Sequence, residues 1–185
     1  VQVPALRKNV TGAVTSGNKY LSCPSDFLSV FSMAVIDGTG SYEYLLNKDV
    51  NFIRAAYPSP TDTGTPKYYA LFGPTVNNGV VTDELSFILG PTPNAAYNVE
   101  LHYFYYPESI TVASDGRTWL GDNYSPVLLY GTLVEAYTYL KGEVDLTAQY
   151  EKKYQEAMAQ LNRLGTGLER GDAYRDGQAK IKVMP

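Results

Sequence analysis

The sequence predicts an α+β fold, in which an antiparallel β-sandwich or barrel-like domain is packed with a C-terminal antiparallel helix pair and followed by an extended arm. Strand-like segments at a spacing of about ten residues, with turn residues between them, indicate the sandwich. Apolar residues change to helical spacing after Trp119. A glycine-rich, charged end indicates the arm. We therefore predict one domain over residues 1–163, β-rich over 1–118 and helical over 119–163, and an arm over 164–185.

The composition indicates a folded chain with one sizeable core, and it argues against several classes of partner and site. Of its 185 residues, 44% are hydrophobic, which is enough to fill a core. The formal net charge of −4 does not favour nucleic acid or an anionic membrane as a partner. Cys23 is the single cysteine, which excludes an internal disulfide and a multi-cysteine metal site. No apolar run is long enough to span a bilayer, so we expect no membrane association.

The first part of the chain predicts a hairpin, a buried strand and a short helix. Residues 1–23 contain two extended pieces on either side of a turn at Gly17, which predicts an opening hairpin. Residues 27–36 are largely apolar on both faces, which is typical of a buried strand. A short strand then leads into a helix that Asp49 caps and Ile53 anchors.

A loop and three further strands follow. Residues 57–67 contain three prolines and Gly64, so we predict an exposed loop there. The strands at 67–73, 84–89 and 97–106 are predicted to form one antiparallel meander. In the last of them one apolar face is expected, made by Val99, Leu101, Tyr103 and Tyr105. A short edge strand is also predicted at residues 110–112.

Two helices are predicted after the strands. Ser125 as the cap and Pro126 in the first turn indicate a helix start, and Gly142 indicates the end of that helix near Leu140. Helical spacing predicts an inward stripe of Leu129, Leu133, Ala136 and Leu140. A second helix, capped by Asp145, is expected to bury Leu146, Tyr150, Tyr154, Ala157, Met158 and Leu161.

The sequence offers little from which a catalytic site could be built. His102 is the only histidine, so a transition metal has no second histidine and no cysteine cluster to bind. A glycosidase-like carboxylate pair could be assembled in principle from Asp83, Glu84, Asp115 and Asp122, but the sequence does not define their separation. We expect neither an enzyme nor a cofactor. The 17 tyrosines suit either a contact surface or the core.

Five segments, taken in order, resemble one family of bacteriophage proteins. They are Val3–Lys8, Leu21–Leu28, Pro66–Gly73, Tyr97–Tyr103 and Trp119–Leu140. Their order and spacing are similar to those of the head-to-tail adaptor proteins of tailed phages, especially the tail tubular protein A-like adaptors of short-tailed phages. Members of that family carry helices before the Val-Pro run, and the sequence leaves open whether such a segment precedes Val1.

The resemblance implies a structural protein of the virion, located at the head–tail junction after assembly in the host bacterial cytoplasm. It implies a ring of about twelve copies. The portal protein would lie above the ring and a tail tube or nozzle protein below it. Phage DNA would pass through the channel without sequence-specific binding. The alternative is a β-sandwich binding module for carbohydrate or a receptor, which would use exposed aromatic side chains.

Two segments are predicted to contact the neighbouring components. The mildly basic arm with its apolar end suits the portal, and the resemblance points to the same segment. The predicted portal contacts are Arg170, Tyr174, Arg175, Lys180, Ile181, Lys182 and Val183. The exposed proline-rich loop is predicted to face the tail. Its predicted contacts are Pro58, Pro60, Asp62 and Pro66.

Overall fold

A computed structural model describes residues 3–77, 80–113 and 115–176. The chain divides into two compact units. The strand-rich unit is Arg7–Tyr106, and the helical unit combines Val1–Leu6 with Pro107–Pro185. The helical unit begins with a 3₁₀ turn at Pro4–Leu6. The fold is therefore mixed, with antiparallel sheets first and helices towards the C-terminus, as the sequence predicts.

The strand-rich unit contains two four-stranded sheets. The first has the order β1 (Arg7–Val14), β10 (Tyr97–Tyr105), β3 (Phe27–Ile36) and β4 (Tyr42–Tyr44). The second has the order β2 (Tyr20–Ser22), β8 (Val80–Gly90), β7 (Tyr68–Asn77) and β5 (Leu46–Asn47). A separate pair joins β6 (Thr63–Gly64) to β9 (Thr92–Pro93), and one helix, α1 (Val50–Ala56), follows β5. The described strands do not close into a barrel.

The core of this unit lies between the two sheets. Strands β3 and β10 of the first sheet contribute Met33, Val35, Val99 and Leu101 to one cluster with Phe87 of β8. The face predicted for β10 is confirmed, because Val99, Leu101 and Tyr103 are all buried. Side chains of successive strand residues point to opposite faces, so this alternation could be read from the sequence.

Strand pairing differs from the prediction in two places. The prediction of an opening hairpin is wrong, because β1 pairs with β10 whereas β2 pairs with β8 in the other sheet. Gly17 makes the crossing with φ of 78°, and its N–H donates to the carbonyl of Pro93 at 2.9 Å. The three-strand meander is also wrong, since β7 and β8 pair with each other but β10 joins the first sheet. Alternation identifies the apolar face of a strand but not its neighbour.

Predictions for the strand-rich unit that depend on helix capping or on the burial of nearby residues are confirmed. The buried strand predicted at residues 27–36 is β3. Asp49 caps α1, because its carboxylate accepts a hydrogen bond from the N–H of Asn51 at 2.7 Å. Ile53 anchors the same helix and is buried. Residues 57–67 are mostly irregular, but they include β6, so the predicted loop is partly tied to β9.

The helical unit contains α2 (Trp119–Asn123), α3 (Ser125–Tyr139) and α4 (Val144–Asp176). Helices α3 and α4 run antiparallel, since Tyr137 meets Tyr150 and Tyr124 meets Gln160. Ser125 does not cap α3, because the cap position is Tyr124 and no side chain bonds there. Likewise, Asp145 lies in the first turn of α4 and not at its cap. Residues 110–112 form a turn and not the predicted edge strand, with the N–H of Val112 donating to the carbonyl of Ser109.

Helix α3 faces α4 with a different side from the one predicted. Its buried residue is Val127, whereas Leu129 and Ala136 are exposed, Leu133 is half-buried, and Leu140, at the C-cap, is exposed. Gly131 explains the choice, since a Cβ there would lie 3.2 Å from the ring of Tyr154. Without a side chain at that position, the two helices approach closely on this face. On α4 the predicted face is confirmed, with Ala157 and Leu161 buried against Val127.

The extended arm predicted from residue 164 is wrong up to Asp176, because α4 continues to that residue. Three glycines, at positions 165, 167 and 171, therefore lie within a helix. Each costs only about 1 kcal/mol relative to alanine, so an established helix can extend through them. Residues 177–185 lie outside the described residues. In the part of the chain that is described, no helix combines the length and apolar character needed to cross a membrane.

Candidate interaction surfaces

The described residues contain no group of three or more His, Cys, Asp and Glu side chains placed to hold a metal ion. His102 is half-buried and meets the ring of Phe31 edge-on, with 5.0 Å between ring centroids. Its environment is therefore aromatic. The arrangements that stand out on this molecule are surfaces suited to contact with another macromolecule.

The outer face of the first sheet carries a cluster of Arg7, Phe31, His102 and Phe104, here called the outer aromatic cluster. The guanidinium of Arg7 lies over the ring of Phe31 at 3.9 Å and over that of Phe104 at 4.9 Å. Phe31 is 50% exposed, whereas Phe104 is buried beneath it. Arginine and aromatic side chains are enriched among the residues that dominate binding energy at protein interfaces.

A β-bulge places Phe31 in this cluster. His102 pairs with Ser32, but the next residue, Tyr103, pairs with Val30, so Phe31 is the extra residue in β3. A bulge of this kind bends the strand and redirects the side chain of the extra residue. The sequence showed that residues 27–36 are apolar on both faces, but the bulge depends on pairing with β10. For that reason the cluster was not predicted.

Exposed aromatic side chains continue from the cluster to the edge strand β4. Tyr42 and Tyr44 are exposed, and their rings are stacked with 6.5 Å between centroids. The hydroxyl of Tyr42 lies 3.5 Å from a carboxylate oxygen of Glu100, which is two residues from His102 on β10. The outer face thus presents rigid rings with polar tips, a composition that gives large contact area at low entropic cost.

Behind this cluster, on the core side of the sheet, Asp26 holds two strands together. Its carboxylate accepts hydrogen bonds from the ammonium of Lys8 at 2.6 Å and from the hydroxyl of Tyr103 at 2.7 Å. Partial burial pushes the pKa of Asp26 upward, but the bonds from Lys8 and Tyr103 outweigh this and hold it below 3.8. Burial and the bond to Asp26 raise the pKa of Tyr103 to about 12.

We expect Asp26→Asn to destabilise the protein by about 1 kcal/mol at neutral pH, because it removes a partly exposed ion pair and weakens a hydrogen bond. Since the pKa of Asp26 is lower in the folded state, its contribution is present above pH 3.8 and is lost as pH falls through the lowered pKa. Urea unfolding at pH 7 and at successively lower pH should show the difference from wild type shrinking. Glu108→Gln on an exposed loop is the control, and a difference independent of pH would contradict the role of Asp26.

The predicted tail-facing loop is only partly on the surface. Pro58 and Pro60 are exposed. Asp62 is half-buried, and its carboxylate accepts a hydrogen bond from the N–H of Ser59 at 3.1 Å. Pro66 is buried, so the prediction that it lies on an exposed contact surface is wrong. After residue 62 the loop pairs with β9. This pairing holds the C-terminal end of the loop within the strand-rich unit.

The predicted portal contacts fall on two different parts of the chain. Arg170, Tyr174 and Arg175 lie on the last turns of α4 and not on an extended arm. The remaining predicted contacts lie outside the described residues; these are Lys180, Ile181, Lys182 and Val183.

Comparison with known proteins adds one finding to this geometry. A family model described as SU10 adaptor protein matches residues 1–179 of the chain. None of the curated proteins compared with the chain matches it. The family match runs through both the strand-rich and the helical unit.

Proposed function

Because the chain belongs to the SU10 adaptor protein family, we propose that it forms a ring between the portal and the tail of a bacteriophage. The chain is a phage adaptor and therefore a structural protein. The observation that carries the proposal is the family match over residues 1–179, which includes both compact units. Family membership favours this function over the alternative of a carbohydrate- or receptor-binding module.

In the proposed ring, about twelve copies surround a channel through which DNA leaves the head. The portal lies above the ring and a tail tube or nozzle protein lies below it. The net charge of −4 supports a channel that does not hold DNA, since an acidic protein does not attract the phosphate backbone. The virion is assembled in the cytoplasm of the host bacterium.

We assign the portal contact to the C-terminal part of the chain and the tail contact to the proline-rich loop. Residues 163–185 carry five basic side chains against three acidic ones, a mildly basic balance that suits an acidic surface on the portal. The sequence that follows Asp176 contains Ile181 and Val183, which can add apolar contacts. On the loop, Pro58 and Pro60 are exposed and already restricted in backbone conformation, so little entropy is lost when a partner binds.

Two variants test these assignments and serve as controls for each other. Truncation after Asp176 should leave circular dichroism unchanged but abolish attachment to purified portal, because it removes the apolar end. Pro58→Asp with Pro60→Asp should leave portal attachment intact but prevent attachment of the next tail component, because charge replaces an apolar contact. Electron microscopy of heads incubated with each variant measures both steps. Normal attachment of the truncated protein, or tail completion by the loop variant, would reject the corresponding contact.

A further inference from the structure

Helix α4 contains three glycines close together towards its C-terminal end, at positions 165, 167 and 171. Elsewhere in the helical unit a glycine is explained by close packing, since a Cβ on Gly131 would lie 3.2 Å from the ring of Tyr154. Gly167 is different, because a Cβ there would meet no atom of the described residues within 4 Å beyond its own turn of the helix. Packing among the described residues therefore does not require glycine at position 167.

The glycines divide α4 into a packed part and a part with less support. Before them, Leu161 is buried in one cluster with Val127 of α3. Among the residues of α4 whose exposure is described, Gly165 is the last buried one, and Thr166 and Gly167 are exposed. Tertiary packing supplies most of the stability of helices in proteins, so the part before Gly165 is the more stable one.

The part of α4 from Gly165 onwards has little helical stability of its own. Each glycine lowers the equilibrium constant for adding a residue to a helix about five-fold relative to alanine. A good helix former favours that addition by only about 1.6-fold at most, so three glycines within residues 165–176 outweigh their neighbours. The hydroxyl of Thr166 also donates to the carbonyl of Asn162 at 2.9 Å, a bond that slightly destabilises a helix.

A helix as short as residues 168–176 does not persist alone, because isolated helices of fewer than about 12–15 residues are marginal even when rich in alanine. Once the hydrogen bonds around Gly165 and Gly167 open, these residues therefore unwind together. We propose that α4 has a breakpoint at Gly165–Gly167, beyond which residues 168–176 unwind and refold as one unit while the rest of α4 stays on α3. An ordinary helix end frays gradually instead, one residue at a time.

The unit beyond the breakpoint carries three of the predicted portal contacts, Arg170, Tyr174 and Arg175. Its role rests on the proposed function: the helical state binds the portal, and binding closes the breakpoint. In that state the backbone groups are already paired within the helix, so the portal has only side chains to contact. A partner that binds one of two states shifts the population towards that state.

Amide hydrogen exchange in the free chain tests the breakpoint. In wild type, exchange should be uniform over residues 168–176 and at least about 100-fold faster there than at residues 155–161. Gly167→Ala should slow exchange about five-fold at all of residues 168–176 together, because it favours closure of the whole unit. Gln155→Ala, at an exposed position of α4 before the breakpoint, is the control and should leave exchange at residues 168–176 unchanged.

A gradual rise in protection from Asp176 inwards, or an effect of Gly167→Ala confined to the next turn, would overturn the breakpoint. Adding purified portal should protect residues 168–176 to the level of the rest of α4, and attachment that leaves their exchange fast would overturn the role in binding. Absence of attachment by wild type would reject the portal contact of the proposed function. The exchange pattern of the free chain decides the breakpoint independently of that result.

Discussion

Replacing Phe87 by alanine is expected to lower the free energy of unfolding of the strand-rich unit by about 3–5 kcal/mol. Phe87 is 0% exposed. Its ring meets Phe27 edge-on at 5.4 Å and Tyr69 edge-on at 6.0 Å between centroids. Phe27 belongs to the first sheet and Tyr69 to the second, so the ring of Phe87 bridges the two. The cavity left by alanine would stay largely open because a close-packed core relaxes only in part.

Urea unfolding followed by tyrosine fluorescence measures this effect. Phe52→Ala is the matched control, because Phe52 is a partly exposed phenylalanine that contacts Tyr68 at 5.5 Å between centroids. We expect that control to cost about 1 kcal/mol, since less apolar surface is involved. Equal effects of the two substitutions would mean that Phe87 does not join the two sheets. A loss of 3–5 kcal/mol is a large part of the total stability of a typical domain.

Leu161→Ala should destabilise the helical unit by about 2–5 kcal/mol, the second-largest effect that we expect. Leu161 is buried on α4 and packs in one cluster with Val127 of α3 and with Ala157. The two helices have few other fully buried apolar side chains among the described residues. Removing this one therefore affects much of their shared interface.

Leu164→Ala is the matched control for Leu161, because it makes the same change on the same helix at a residue that is 43% exposed. Its cost should be within about 1 kcal/mol of wild type. Thermal unfolding followed by circular dichroism at the helical wavelength compares the two variants. If Leu164→Ala proved the more damaging, α4 would face α3 with a different side from the one described.

Strand β1 contributes one residue to the outer aromatic cluster and the next residue to the hydrogen bonds of Asp26. Arg7 and Lys8 are adjacent, so their side chains point to opposite faces of the sheet. Arg7 lies over the exposed ring of Phe31, while Lys8 bonds to Asp26 and lies over the ring of Tyr105 at 4.1 Å. Both faces of the strand are thereby held in place. A surface that is already ordered loses less entropy when a partner binds.

By itself, the sequence determined the features that depend on a few neighbouring residues. The carboxylate of Asp49 is close enough to the start of α1 to cap it, and β3 is recognisable because its residues are apolar on both faces. The extent of α3 follows from Pro126 near its start and Gly142 beyond its end. The adaptor family was also recognisable, because its motifs keep their order along the chain.

Only the tertiary structure decided which elements are neighbours. Alternation showed the apolar face of β10, but its pairing with β1 and β3 depends on how two sheets enclose one core. Helix α3 has two apolar faces. The close approach of Tyr154 at Gly131 selects the one that α4 covers. The outer aromatic cluster likewise exists only because strands distant in sequence pair with a bulge at Phe31. Such choices depend on contacts between residues far apart in the chain, which local propensity does not encode.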